Sequence, residues 1–87
     1  MFQFFVTPGF IADLQKLDES IQNQIKEKID FFRQVENPLA FAKKLHEKSH
    51  LFRFRAGHYR IVFEMRQNKL FLLAVDHRKD IYRKNSL

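Results

Sequence analysis

Between residues 51 and 82 hydrophobic and polar positions alternate with a period of two, the spacing of strands with one buried face. Phe52 and Phe54 alternate with Arg53 and Arg55, so one face is aromatic and the other cationic. Past Ala56 and Gly57, Tyr59, Ile61, Phe63 and Met65 fall on one side, and His58, Arg60, Val62 and Glu64 on the other. Gln67 and Asn68 sit where a tight turn is needed, and Asn tolerates the positive φ that such turns use. Residues 70–75 are apolar at every position, the pattern of a central strand covered on both faces. The chain then becomes polar at once, through Asp76, His77, Arg78, Lys79 and Asp80 to Ile81 and Tyr82.

The first half changes period. Phe2, Phe4 and Val6 predict a strand. Thr7 and Pro8 then open a helix, with Thr as N-cap and Pro at the first helical position, where a missing N–H costs nothing. Phe10, Leu14 and Leu17 follow at helical spacing. Asp18 breaks the run and is positioned to cap a second helix, whose apolar stripe is Ile21, Ile25, Ile29 and Phe32. Asn37 and Pro38 stop that helix, and residues 39–45 predict a further helical turn or two. Residues 46–50 read as a polar loop, and residues 83–87 as a fraying tail. The order β-α-α-β-β-β makes residues 1–87 a single α+β domain. Its sheet is mainly antiparallel, with a helical hairpin packed on one face. The other face of the apolar strand is left for something else to cover.

Composition narrows the class. Eleven phenylalanines in 87 residues are ample for a small core, and the absence of cysteine excludes disulfides and thiolate metal sites. The opening FQFFV is too short for a signal sequence and no apolar run reaches membrane-spanning length, so a cytoplasmic protein without membrane association is expected. The net charge is +6, and its distribution is uneven. Residues 1–49 carry seven Lys/Arg against seven Asp/Glu, whereas residues 50–87 carry nine against three. A basic half whose cations alternate on strands suits a polyanionic partner better than a merely solubilising surface.

Most catalytic chemistries lack their residues. His46 and His50 are the one histidine pair at i,i+4 spacing, without the glutamate of a zinc-protease helix, and no metal or other cofactor is expected. With no cysteine, and serines confined to caps, loop and tail, a nucleophilic triad is not expected. What remains suits metal-independent cleavage of RNA by its own 2′-OH. That reaction needs help in ionising the hydroxyl, fixed positive charge on the phosphorane, and an acid for the leaving 5′-oxygen. Arginine forks supply the charge, histidine titrates near neutral pH, and tyrosine can donate a proton or stack on a base. Each residue alone has a blander reading: a solvated strand face for Arg53 or Arg55, core for Tyr59.

The segment of Gly57, His58, Tyr59, Arg60, Ile61, Val62 and Phe63 resembles the G-x-Y-R strand of the RelE/ParE toxin superfamily. Val75, Asp76, His77, Arg78, Lys79, Asp80, Ile81 and Tyr82 resemble its terminal V-x-H-R-(K/R)-(D/E)-(V/I)-Y signature. Thr7 and Pro8, and Ala42 to Leu45, fit as well, so the likeness covers essentially the whole chain and implies a RelE-like fold. It further implies the toxin of a type II toxin–antitoxin pair, a ribosome-dependent endoribonuclease that cuts mRNA in the A site and inhibits translation. The catalytic set carried over is Arg53, Arg55, Arg60, His77, Arg78 and Tyr82, with Lys43, Lys44, His50, His58 and Lys79 assigned to RNA binding. Arg where RelE has lysine shifts proton transfer toward His77 or a histidine of the 46–58 region, because arginine stays charged. The implied partners are a cognate antitoxin encoded alongside, the ribosome and mRNA, with operator binding through the antitoxin. The alternative is a ParE-like inhibitor of DNA gyrase, which shares both motifs and cuts nothing.

Overall fold

A computed structural model of the chain describes residues 2–46 and 49–77. Strand β1 (Gln3–Val6) leads into helices α1 (Pro8–Gln15) and α2 (Glu19–Gln34). A 3₁₀ turn (Pro38–Phe41) and strands β2 (Ala42–Lys44), β3 (Leu51–Ala56), β4 (Tyr59–Arg66) and β5 (Lys69–His77) follow. The sheet order is β1-β5-β4-β3-β2, with β1 parallel to β5 and every other pair antiparallel. Both helices lie on one face. Among the described residues no helix is long and apolar enough to cross a membrane.

The start of α1 follows from its two opening residues. Thr7 has an extended backbone, and its hydroxyl accepts the Phe10 N–H at 3.3 Å while Pro8 occupies the first turn. Asp18 stands at the N-cap of α2 without a side-chain cap bond, and Glu19 supplies the negative charge that a helix N-terminus favours. Phe32 and Ile25 of the α2 stripe are buried, with Ile21 and Ile29 packed partly against the core.

Two local expectations are corrected. Residues 39–45 do not extend as helix. Pro38 is buried and starts a single 3₁₀ turn, with the Asn37 carboxamide accepting the Leu39 N–H at 3.2 Å. The chain then pairs as an edge strand against β3 through Ala42↔Phe54, Lys43↔Arg53 and Lys44↔Phe52, which makes five strands among the described residues, not four. Pairing with a neighbour decides a three-residue strand, and local pattern cannot announce it. In the turn after β4 it is Gln67, not Asn68, that takes positive φ, at 56°. Gly57 does the same at 62° in the preceding turn. Both two-residue loops therefore put the left-handed residue first, as a type II′ turn requires.

The core is an aromatic stack centred on Phe54, which is fully buried. Its ring lies 4.0 Å from Phe32 of α2 and 4.4 Å from Phe63 of β4, nearly parallel to both, with Phe4 of β1 stacked at 6.4 Å. Phe52 continues the row against Phe63 at 5.4 Å. One side chain thus ties α2 to three strands.

The apolar run in β5 has a second cause besides its central place. The pairing with β4 slips between Val62 and Phe63: Val62 faces Ala74, but Phe63 faces Leu72, so Leu73 is an extra residue. Inward positions therefore switch from Leu70 and Leu72 to Val75. Helix α1 holds the bulge. The Thr7 amide and hydroxyl both donate to the Leu72 carbonyl, at 3.2 and 2.8 Å. The Asp13 carboxylate accepts the Val75 N–H at 3.2 Å. A Cβ on Gly9 would lie 3.2 Å from the Leu73 carbonyl oxygen, so the approach favours glycine there.

Phe54→Ala is expected to lose about 3–5 kcal/mol, measured by urea unfolding, because truncation opens the centre of the stack. Asp13→Ala is expected to cost about 1–2 kcal/mol and to speed hydrogen exchange at the Val75 amide selectively, since that N–H loses a charged acceptor.

Candidate functional site

Charge collects on the sheet face turned away from the helices. On β4, Ile61 and Phe63 enter the core, so Arg60, Val62 and Glu64 face the other way. Register then sets their neighbours. Arg60 stands between Arg55 on β3 and Asp76 on β5. Val62 stands between Arg53, itself beside Lys43 on β2, and Ala74. Glu64 stands between Leu51 and Phe71, and Phe71 stacks on Phe5 of β1 at 5.2 Å. The face is cationic at one corner and aromatic at the opposite one. Lys43, Arg53, Arg55 and Arg60 line a single concavity of about 220 Å³, together with Phe41.

Arg60 is the unusual member. Its residue is 4% exposed, and its Nε and Nη1 atoms are buried without a hydrogen-bond partner. Burying guanidinium donors without acceptors costs on the order of several kcal/mol. Arg55 directly opposite adds like-charge repulsion. Folding alone does not favour this arrangement. A bound anion would satisfy it, and the planar fork of a guanidinium matches the oxygens of a phosphate.

The other sequence-predicted residues are distributed differently. Lys44 alternates with Lys43 and lies on the helix side, its Nζ 5.9 Å from the centre of the Phe52 ring. His50 is at the far end of β3, where its carbonyl accepts the Met65 N–H at 3.0 Å. His58 is exposed in the turn before β4. His77 lies on the helix side of the sheet end, edge-on to Tyr59 at 5.5 Å and stacked on His58 at 6.2 Å. Register therefore brings Lys43, Arg53, Arg55 and Arg60 together and sets Lys44, His50, His58 and His77 apart from them. Arg78, Lys79 and Tyr82 lie outside the described residues. Among the described residues no group of three or more His, Cys, Asp or Glu side chains could hold a metal ion.

Two members of this surface escaped the sequence reading. Asp76 shares the Arg60 row because the bulge shifts it to that face; without the bulge, Asp76 and His77 would exchange faces. Its Oδ1 accepts the His77 N–H at 2.8 Å. Phe41 ends the 3₁₀ turn and lines the same concavity, a place that emerges only once the chain after it is known to pair with β3.

The sequence pattern of the ParE toxin of type II toxin–antitoxin (parDE) systems matches residues 4–82. No curated protein matches the chain closely enough to count as a relative. Among solved structures, the RelBE2 toxin–antitoxin complex of Mycobacterium tuberculosis contains a chain 28% identical, with 88% of this chain and 98% of that one covered at a TM-score of 0.74. The RelB–RelE antitoxin–toxin complex of Methanococcus jannaschii gives 26% identity, 92% and 96% coverage and a TM-score of 0.74. The isolated RelE toxin of E. coli, 15% identical with 99% and 96% coverage and a TM-score of 0.64, shares the fold. With the family pattern spanning both helices and all the strands, the chain belongs to the ParE toxin family within the RelE/ParE superfamily and is a toxin of a type II toxin–antitoxin system.

Proposed function

We propose that this toxin is a metal-independent endoribonuclease that cuts mRNA in the ribosomal A site by attack of the RNA 2′-OH. The observation that carries the reading is the buried Arg60 guanidinium, with Nε and Nη1 left without a hydrogen-bond partner, facing Arg55 across the strands. A scissile phosphate held there gains charge as it becomes a phosphorane. Fixed guanidinium donors then stabilise the transition state more than the ground state. Arg53 and Lys43, on the neighbouring row, hold the flanking backbone. For proton transfer the register favours Asp76, the acidic group beside Arg60, as base toward the 2′-OH. His77, Arg78 and Tyr82 stay in the catalytic set, and the acid for the leaving 5′-oxygen would come from His77 or Tyr82. Lys44, His50, His58 and Lys79 are left to outer contacts with RNA or ribosome.

The partners follow from the same surface. The Mycobacterium tuberculosis and Methanococcus jannaschii relatives are seen with antitoxins, and we infer a cognate antitoxin here. Its carboxylates would meet the arginine corner and its apolar residues the corner of Phe5 and Phe71. Operator binding would pass through that antitoxin, and the site of action is the cytoplasm.

A second reading has its own support, since the matching family pattern is that of ParE. There the cationic face would bind DNA gyrase and cut nothing. Primer extension on mRNA from induced cells separates the two: breaks in phase with codons are expected, whereas supercoiling arrest with intact mRNA would replace the nuclease by the gyrase inhibitor.

Arg60→Met is expected to leave the melting temperature unchanged or raised, because an apolar side chain of similar length removes an unsatisfied buried charge. Cleavage should fall by about a hundredfold or more, roughly 3 kcal/mol of transition-state stabilisation. Calorimetry and single-turnover cleavage on programmed ribosomes read the two effects. In the same assay Asp76→Asn should slow cleavage at saturating ribosomes without weakening binding. Wild-type rates in that variant would remove Asp76 as base and move proton transfer to His77 or a histidine of the 46–58 region.

A further inference from the structure

We propose that Phe41 is a base-stacking platform for a nucleotide whose phosphate lies among Arg53, Arg55 and Arg60, a subsite that rests on the RNA reading above. Phe41 is 51% exposed, the more open partner of an aromatic pair with Phe31. Its ring is nevertheless fixed: Phe31 meets it edge-on at 5.3 Å and Phe32 at 5.9 Å, both from α2. The 3₁₀ turn that carries it is anchored by buried Pro38 and by the Asn37 cap. A protein gains little by holding an apolar ring rigid in water. The gain would come from a flat apolar ligand, and the concavity under this ring offers four cations and no carboxylate among its lining residues.

The place of the ring argues for the same ligand. Phe41 ends the 3₁₀ turn at the sheet edge, immediately before β2, and lines the same concavity as Lys43, Arg53, Arg55 and Arg60. A ring and a phosphate site side by side at a strand edge match the two chemically distinct parts of a single-stranded nucleotide, an anionic backbone and a π-face. Every base has such a face, so the platform should hold the strand without dictating its sequence. An acidic peptide would use the cations but has no comparable need for a rigid open ring.

The test uses a short single-stranded RNA, fully 2′-O-methylated so that it resists cleavage, with one 2-aminopurine moved along its length. Wild-type toxin should bind it and quench the fluorophore at one position. Phe41→Leu, which keeps apolar contact with Phe31 and Phe32, should bind about tenfold more weakly, about 1.4 kcal/mol, and lose the quench. The slope of affinity against salt should not change, because the phosphate contacts remain. Phe41→Trp should restore both affinity and quench, which loss of folding in the leucine variant could not mimic. If Phe41→Leu binds and quenches as the wild type does, the platform is overturned while the RNA reading stands. If the wild type binds no RNA on or off the ribosome, the RNA reading falls and the platform with it. If Phe41→Leu weakens antitoxin binding and leaves RNA binding intact, the ring is a protein contact and the proposal is overturned.

Discussion

The site depends on one extra residue in β5. With Leu73 inserted between the pairs made by Leu72 and Ala74, the strand turns over, and Asp76 joins Arg60 while His77 moves to the helix side. A bulge leaves backbone groups unpaired and would slide or anneal if nothing held it. Here α1 holds it through the Thr7 hydroxyl and the Asp13 carboxylate. The same threonine starts the helix, so the beginning of α1 and the phase of β5 are fixed by a single side chain. In this way the N-terminal helix governs a surface from which it is separated by the thickness of the sheet.

The two faces of that sheet obey opposite rules. On the helix side the Phe54 stack removes large flat surfaces from water and binds α2 to β1, β3 and β4. On the other side Arg55 and Arg60 are held against their mutual repulsion, one with donors left unsatisfied. Strand backbones do not bend to relieve such a pair when their opposite face is packed ring on ring. The aromatic side thereby keeps the arginines in place, and stiffness is its contribution to this surface.

Much of this was legible in the chain. The Thr7 cap, the helical stripe, the alternation of Phe52 and Phe54 with Arg53 and Arg55, and the inward row of Tyr59, Ile61 and Phe63 all follow from period and propensity. Those are local properties. What escaped reading is non-local: β2 exists because β3 lies beside it, and the bulge exists because α1 packs on it. A bulge in a run apolar at every position leaves no trace in the pattern, since either phase reads as buried. Pattern alone therefore sets His77 with the arginines and leaves Asp76 out. Gln67 shows the same limit on a smaller scale, for the strands dictate which loop residue turns left-handed.

The parallel pairing of β1 with β5 joins Gln3 to Lys69 and Val6 to Leu72. The arginine corner needs β3, β4 and β5 in register, and the register of β5 is locked only when β1 and α1 dock on it. Contacts of such long sequence separation form late. During synthesis the early strand and both helices must wait, half-covered, for a partner not yet made. The cationic corner is therefore unmade while the chain is being built, and it comes into being only with the closing of the sheet.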